Sequence, residues 1–315
     1  MAIFLTKRLA LGLLTLWAVS VLVFAGTELL PGDVATAILG QGATPETVAA
    51  LREQMGLERP AAERYFAWIG NMIKGDMGQS VATGRSIGSI MQDRVYNTFL
   101  LAGVTALVSV PLALLLGIVS VIYPEGVLDR SISMSSLVLI SLPEYFTGVA
   151  LIFGFAVTWH LFPAVVYSSQ FTSFWQTMRA LTLPVITLTV AILAHMVRMT
   201  RAAILDVLRS AYVEMALLKG VPKGRIILRH ALPNALSPVI NVVAINLGYL
   251  VSGVVLVEAI FSYPGLGRLL TDSVANRDIP LVQAVAMVFC VVYVLLNLIA
   301  DILVMVTNPR LRAKK

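Results

Sequence analysis

Charged residues are scarce in this chain of 315 residues. They make up 13% of it, and hydrophobic residues make up 58%, whereas a soluble globular protein has about 25% charged and about 45–50% apolar residues. The single cysteine, Cys290, cannot form an internal disulfide and lies in an apolar run, where we expect it to pack as a small hydrophobic residue. The sequence also lacks a Walker-type phosphate loop, a paired cysteine motif and a sustained heptad repeat. These absences argue against a self-contained ATPase, a disulfide scaffold and a coiled coil, and they indicate a chain embedded in lipid.

Six apolar segments have about the length needed to cross a bilayer, which takes about 20 residues in a helix. They cover approximately residues 9–30, 98–122, 132–162, 181–197, 238–257 and 281–306. The third segment is interrupted by Pro143 and Glu144. The first is interpreted as a retained helix rather than a cleaved signal peptide, because its apolar run is too long and it ends in residues 28–33, which contain no Ala-x-Ala site. The sequence therefore predicts an all-α, polytopic membrane protein with six transmembrane helices, in one domain over residues 1–315.

The basic residues indicate an orientation, because Lys and Arg are retained on the cytoplasmic side of a membrane. Lys7 and Arg8 precede the first span, and four basic residues follow the last one. The segment between the fourth and fifth spans carries Arg198, Arg201, Arg209, Lys219, Lys223, Arg225 and Arg229. Residues 31–97 contain six basic and seven acidic residues and so show no bias. We predict that both termini and the basic segment face the cytoplasm and that residues 31–97 lie outside.

The external segment contains two helical patterns. Thr44 is a suitable N-cap for a helix beginning at Pro45, and Gly56 can end that helix. A second amphipathic stretch follows Pro60. These two short helices could lie on the outer face of the bundle or dock an external partner, and the sequence leaves both interpretations open.

Gly84-Arg85-Ser86-Ile87-Gly88 matches the G-x-S-x-G pattern of a hydrolase nucleophile. That motif requires a buried strand before the serine and a helix after it. The preceding residues 75–80 are glycine-rich and polar, which is typical of a loop. A membrane-embedded hydrolase would rest on Ser86 alone and is disfavoured.

The segment at residues 198–236 has more structure than a connector needs. Ser210 can cap a short helix running through Lys219, Gly220 can provide its left-handed stop, and a second helical stretch is predicted to end at Leu232-Pro233. The first helix is too apolar for a solvated loop and too short to be stable alone. We expect its apolar surface to be buried against either the membrane surface or another protein.

The spacing within this segment resembles a known signature. Glu214-Met215-Ala216, then Gly220, then Leu232-Pro233 is similar to the EAA loop of ATP-binding-cassette (ABC) importer permeases, which reads Glu-Ala-Ala, three residues, Gly, nine residues, Ile-x-Leu-Pro. Met215 replaces the first alanine, and His230 replaces the isoleucine. Residues 228–236 resemble the version found in dipeptide, oligopeptide and nickel permeases. Weaker motifs of that family occur in the same order at residues 30–33, 57–60, 75–80, 263–270 and 277–280.

The resemblance implies a type I ABC importer permease in the plasma (cell inner) membrane. Residues 198–236 would form a coupling loop seated in a cytoplasmic ATPase subunit. The coupling positions that it implies are Glu214, Met215, Ala216, Leu217, Gly220, Leu232 and Pro233. The small Ala216 would permit close approach, and Gly220 would set the angle between the two helical pieces.

The resemblance also implies partners and a mechanism. The partners would be a second related permease, two ABC ATPase subunits, an extracytoplasmic substrate-binding protein and the lipid bilayer, but no nucleic acid. ATP and Mg would be bound by the ATPases, so no cofactor, metal or catalytic residue is expected in this chain. Transport of peptides or similar small solutes would proceed by alternating access.

Ionisable residues inside the spans are costly and often functional. Glu144, after Pro143, is a candidate for the substrate pathway, with structural pairing as the alternative. His195 and Asp301 are expected to be structural, and Glu28 and Glu258 to be interfacial. An ion-coupled secondary transporter without ATPases remains the main alternative function, although such carriers often contain two similar halves and no convincing internal repeat is present.

Overall fold

A computed structural model describes residues 2–29, 34–39, 43–54, 56–167, 169 and 171–307. Over these residues the chain is helical, and its β-structure is confined to one isolated antiparallel bridge between Gln79 and Ser86. The family motif at residues 30–33 and the basic residues Arg310, Arg312, Lys314 and Lys315 lie outside the described residues, as does Met55, an apolar residue of the helix predicted to begin at Pro45. The helices in chain order are α1 (Ala2–Glu28), α2 (Val34–Leu39), α3 (Pro45–Gln54), α4 (Ala61–Ile73), α5 (Ile87–Ile122), α6 (Val127–Ser141), α7 (Glu144–Leu151), α8 (Phe174–Leu208), α9 (Ala211–Leu218), α10 (Lys223–Arg225), α11 (Leu232–Ile260), α12 (Leu266–Ala275) and α13 (Ile279–Thr307).

Five helices, α1, α5, α8, α11 and α13, are long and apolar enough to cross a membrane. A sixth span is formed by α6 and α7, which continues as a π-helix over Ile152–Thr158, if this bent pair is counted as one crossing. The prediction of an all-helical, polytopic membrane protein is therefore confirmed, with five spans in the described residues, or six when the bent pair is counted as one.

The third span is broken rather than merely interrupted. Its two halves meet at an angle of 98°, and Leu142 and Pro143 between them have extended ψ angles of 122° and 137°. Proline has no N–H to donate and forces the preceding residue out of the helical region. The sequence signal at Pro143 thus marks a full break in the helix.

Several helices extend beyond the predicted spans. The second begins at Ile87, the fourth covers Phe174–Leu208, and the fifth begins at Leu232. The segment at residues 198–236 is therefore not a separate element, because its first eleven residues belong to α8 and its last five to α11. An apolar run in the sequence marks only the part of a helix that faces lipid or the protein core. The helix itself is longer, because backbone hydrogen bonding continues into the polar residues on either side.

One compact unit of the chain consists of Thr98–Tyr263 and Leu295–Lys315. Within it, α8 is the most buried long helix and packs against α6, α7 and α11. Its core includes Leu181, Leu188 and Met196. The approach of α5 to α8 is close, because a Cβ at Gly117 would lie 2.9 Å from Cγ2 of Thr200.

The other unit is drawn from Ala2–Asn97 and Pro264–Val294. Both external helices predicted from the sequence are present, as α3 and α4. The backbone N–H of Thr47 donates to the Thr44 side chain at 3.3 Å, which caps α3 as predicted, and Gly56 has the left-handed φ of 65°. The α4 helix contacts α1 through a hydrogen bond of 2.8 Å between the hydroxyls of Tyr65 and Ser20. The short helices α2 and α12 were not predicted.

Candidate coupling site and buried carboxylates

The α9 helix follows α8 after only two residues. Ser210 has the extended backbone of an N-cap residue, with φ −75° and ψ 146°, as predicted. Its hydroxyl, however, donates to the carbonyl of Val207 in α8 and does not cap α9. Ser210 thus ties the start of α9 back to the preceding helix.

The end of α9 has the geometry that the sequence predicts. Gly220 has φ 76°, its N–H donates to the carbonyl of Leu217 at 2.9 Å, and the N–H of Val221 donates to the carbonyl of Ala216 at 3.2 Å. This pair of bonds is a Schellman stop, which uses a left-handed residue to satisfy the last carbonyls of a helix. A Cβ at Gly220 would meet nothing within 4 Å. The backbone conformation, and not the available space, therefore requires glycine here.

The second helical piece does not end at Leu232-Pro233, so that expectation is wrong. Helix α10 continues as a π-helix over Ile226–Ala231 and runs directly into α11, whose first residues are Leu232 and Pro233. Pro233 cannot donate a backbone hydrogen bond, and its ring crowds the carbonyl of residue 229. The wider π-turn before it accommodates the ring without breaking the helix.

The α9 helix is apolar except for Glu214, and Val213 is its buried position. Val213 is fully buried, and α9 contacts α8 and the π-helix. Its outward apolar side chains are Tyr212, Met215, Leu217 and Leu218, with exposed fractions of 44%, 54%, 46% and 77%. The π-helix behind α9 is itself anchored, because Ile227 packs with Ile204 of α8 and Val239 of α11.

The structure therefore brings five of the seven predicted coupling residues onto one short element. Glu214, Met215, Ala216 and Leu217 lie in α9, and Gly220 lies at its end. Leu232 and Pro233 instead form the start of α11. Exposed apolar side chains on a firmly anchored short helix form a surface suited to binding another protein.

Glu144 is the first residue of α7, directly after the break in the third span. Its Oε1 atom is buried and has no hydrogen-bond partner among the residues that the structure describes. This oxygen lies against Gly253 of α11, where an added Cβ would be 2.8 Å away. The carboxylate thus fits in this position because residue 253 is a glycine, and any larger side chain there would collide with it.

Glu258 was expected to be interfacial, and that expectation is wrong. The residue is fully buried, and the hydroxyl of Thr98 donates to its Oε1 at 2.7 Å. Its place near a helix end suggested the interface, but the sequence does not show which side of α11 faces the core. Of the other candidates, His195 is exposed, and Glu28 pairs with Arg64 at 2.5 Å.

Two further polar contacts were not predicted. Arg201 of α8 binds Asp129 of α6 through two hydrogen bonds of 2.9 and 2.8 Å. Asp278, which is 2% exposed, accepts hydrogen bonds from the hydroxyl of Ser80 at 2.5 Å and the N–H of Val81 at 3.2 Å. We call the contacts of Ser80 and Val81 with Asp278 the Asp278 clamp. It joins two of the weak family motifs, and no sequence spacing could have indicated that they touch.

The hydrolase hypothesis does not gain the structure that it needs. Ser86 immediately precedes α5 and takes part in the isolated bridge with Gln79, but among the described residues before it there is no strand. Groups of three or more potential metal ligands are also absent from the described part of the chain.

A polytopic helical bundle that presents a short apolar helix between two spans defines the class of the protein as a membrane permease. The chain belongs to the family described as the binding-protein-dependent transport system inner membrane component, which matches residues 109–313. The N-terminal component of the same description matches residues 1–102. The protein is thus a multi-pass inner-membrane permease subunit of an ABC importer, and the alternative of an ion-coupled carrier receives no support.

Two curated relatives align over nearly the whole chain. A probable peptide ABC transporter permease of Sinorhizobium fredii is 33% identical over 312 residues, covering 99% of this chain and 100% of the relative. The glutathione transport system permease GsiC of Escherichia coli K12 is 36% identical over 309 residues, covering 98% of both chains. A structure of the methionine ABC transporter MetNI, described as inward facing, is similar with a TM-score of 0.57 and 20% identity, over 70% of this chain and 96% of the other. This last likeness shows a shared fold.

Proposed function

We propose that this chain forms half of the translocation pathway of an importer for peptides or peptide-like solutes. The names of the two relatives support this substrate class, since one is named for peptides and the other for glutathione, which is itself a tripeptide. Family membership implies ATPase and binding-protein partners in general. The complex that we propose contains a second related permease, two ABC ATPases that bind ATP and Mg, and an extracytoplasmic substrate-binding protein.

The proposed topology follows the positive charges. The termini and the segment between α8 and α11 lie in the cytoplasm, and residues 31–97 lie outside. Arg209 and Lys219, at the two ends of α9, are exposed, as expected for a helix outside the membrane. In this arrangement α9 is available to a cytoplasmic protein.

The exposed apolar surface of α9 is the observation that carries the coupling role. A lipid-bound amphipathic helix has one apolar and one charged face, whereas α9 is apolar except for Glu214, and Val213 is its buried position. We assign Met215, Leu217 and the small Ala216 to the contact with the ATPase. Glu214 lies in the first turn, where a negative charge is favourable.

The movement of the ATPases would reach the bundle through this contact. The Ser210–Val207 bond fixes one end of α9 to α8, and the Gly220 stop fixes the angle to the next helical piece. Leu232 and Pro233 contribute indirectly, because they keep that piece continuous with α11. A displacement of α9 would therefore move α8 and α11 together.

Site-specific cross-linking tests the coupling role. Leu218, the most exposed apolar residue of α9 at 77%, is replaced by cysteine in a Cys290→Ser background. The sole engineered thiol is then treated in native membranes with a bifunctional thiol–amine reagent. We expect a cross-link to a nucleotide-binding subunit whose yield changes when ATP is added.

The matched control is Val127→Cys in the same background. Val127 is 83% exposed but lies at the start of α6, away from α9 in the sequence. It should give no cross-link to that subunit. If Leu218→Cys reacts only with lipid amines in a membrane that contains the assembled transporter, the coupling role is wrong.

We further propose that Glu144 contacts the substrate along the pathway. An unpaired buried carboxylate oxygen is costly, and a cationic group supplied from outside the chain would satisfy it. The α-amino group of a peptide has the required charge and hydrogen-bond donors. The break at Pro143 supports this role, because irregular backbone at membrane depth occurs where it is buried in protein or lines a cavity.

A further inference from the structure

A hollow of about 360 Å³ lies between α6 and α8. Arg198 and Arg201 line it from α8, Arg209 lines it from the position just after α8, and Ser133 and Leu137 line it from α6. The spacing of the arginines by three and eight residues places them along one face of α8. The hollow takes no part in the contacts of α9 described above.

The three arginines differ in how their charges are used. Arg201 is held by the two hydrogen bonds to Asp129, so this pair is neutral and its geometry is fixed. Arg198 and Arg209 are exposed and have no ion-pair partner within the described chain. Asp206 also lines the hollow and offsets one of these charges. A net positive charge therefore remains.

Apolar surface adjoins this charge. Leu137 and Leu205 are part of the lining, and along α6 Met134 and Val138 are 64% and 59% exposed. Arg198 directly follows the apolar run of α8, so it stands at the depth where a bilayer changes from acyl chains to head groups, and Arg201 and Arg209 follow it on the polar side. A soluble anion would bind the charge but would make no contact with the exposed apolar side chains of α6.

We propose that this hollow binds the phosphate head group of an anionic glycerophospholipid, with the acyl chains lying along α6. Guanidinium groups bind phosphate oxygens in pairs of parallel hydrogen bonds, and basic pockets between transmembrane helices are known to accept anionic head groups. Arg198 and Arg209 supply the binding charge, and Arg201 forms the rigid wall.

Lipid titration of the purified transporter tests the site. The full chain, with its copurifying subunits, is delipidated in detergent and titrated with phosphatidylglycerol, and bound lipid is counted by native mass spectrometry. Each basic residue near an anionic lipid contributes about fivefold to binding, so the Arg198→Gln/Arg209→Gln double variant is expected to bind about 25-fold more weakly. Lysine at both positions should restore part of the affinity, because it keeps the charge but loses the paired hydrogen bonds.

Arg130→Gln is the matched control. Arg130 is an exposed arginine of α6, next to Asp129, that does not line the hollow, and its loss should leave lipid binding unchanged. An equal loss in this variant would indicate a general charge effect and overturn the proposal. Unchanged binding in the double variant would also overturn it.

Two further titrations separate the sources of phosphate. Phosphatidylcholine should bind much more weakly, because its head group has no net charge. Inorganic phosphate alone should compete only at far higher concentrations, because it lacks acyl chains. If phosphate competes as well as phosphatidylglycerol does, the hollow is a site for a soluble anion and the lipid proposal is wrong.

Discussion

The Asp278 clamp and the α9 helix both contain residues of family motifs. The side chains of the clamp are buried and bind each other, whereas most apolar side chains of α9 are exposed. In the clamp, Ser80 and Asp278 are 1% and 2% exposed and bind each other. In α9, Val213 is buried, but Leu218 remains 77% exposed. The residues of the clamp find their partners within their own unit of the chain, whereas the apolar side chains of α9 are left uncovered by theirs.

This difference shows which motif serves the fold and which serves a partner. Polar groups that are paired and buried stabilise the unit that contains them, whereas exposed apolar side chains on an anchored helix contribute to stability only when something covers them. The same distinction separates two glutamates of the bundle. Glu258 is hydrogen-bonded to Thr98, whereas one carboxylate oxygen of Glu144 has no partner in the described part of the chain.

The largest effect is expected from breaking the clamp with Asp278→Ala. The change leaves the hydroxyl of Ser80 and the N–H of Val81 without this acceptor, and removes the carboxylate that the N–H of Leu281 approaches at 3.4 Å. Each unsatisfied buried group costs about 1–3 kcal/mol. We expect a loss of about 3 kcal/mol or more, measured as a lower melting temperature in detergent and less folded protein in membranes.

Asp76→Ala is the control for this change. The Asp76 carboxylate accepts one hydrogen bond, from the N–H of Gly78 at 2.9 Å, but is exposed. Its loss should cost less than about 1 kcal/mol, because water replaces the protein acceptor. Equal melting temperatures for the two variants would contradict the structural role of the clamp.

The complementary experiment on α9 is Gly220→Val. A β-branched residue is strained at φ 76°, by about 1–2 kcal/mol, and relief of that strain would change the angle between α9 and the next helical piece. We expect about a tenfold loss of transport per folded molecule, with normal amounts of protein in the membrane. The measurement is uptake of labelled peptide together with ATP hydrolysis.

Gly224→Val provides the comparison for Gly220→Val. Gly224 lies in α10, its φ is not positive, and a Cβ there would meet nothing within 4 Å. Transport should stay near the wild-type level. Normal transport in Gly220→Val itself, at normal expression, would show that the left-handed stop is not needed for coupling.

The sequence predicted those parts of the fold that local chemistry determines. The helix start at Pro45 depends on a cap, the break at Pro143 on a missing N–H, and the stop at Gly220 on a positive φ. Each of these requires only neighbouring residues. The sequence did not indicate where a helix ends when that end depends on packing, as at Leu208, eleven residues beyond the end of the apolar run.

The candidate site was also predictable only where it depends on residues that are close together in the sequence. The coupling residues follow one another in sequence, so their spacing was sufficient to place Glu214, Ala216 and Gly220 on one element. The pairs Thr98–Glu258, Ser80–Asp278 and Asp129–Arg201 join residues that are distant in the chain. One sequence holds no signal for such contacts, because the tertiary packing of whole helices determines them.

A smaller effect on transport is expected from Glu144→Gln. The amide keeps the size of the side chain but loses the negative charge that would attract a cationic group. Uptake of a peptide with a free amino group should fall about fivefold, with an unchanged melting temperature, as expected for losing one charge-assisted hydrogen bond. Unchanged uptake would indicate that Glu144 has a structural role.

Gly253→Ala approaches the same carboxylate from the opposite helix. Its Cβ would lie 2.8 Å from Oε1 of Glu144, so the carboxylate must move. We expect reduced uptake in the wild-type background and no further reduction in a Glu144→Ala background. Additive losses would show that Gly253 acts independently of Glu144.

The smallest effect is expected from Thr98→Val, which keeps the shape of the side chain but removes the donor to Glu258. Losing one hydrogen bond to a buried carboxylate should cost about 1–2 kcal/mol, seen as a modest drop in melting temperature without a specific loss of transport. Thr187→Val is the matched control, because the buried Thr187 hydroxyl donates to the Leu183 carbonyl of its own helix, and that carbonyl is already paired within the helix. Equal shifts in the two variants would mean that the Thr98–Glu258 contact contributes no more than a hydrogen bond within one helix. Glu258 would then differ from Glu144 in its burial and not in the strength of its hydrogen bonding.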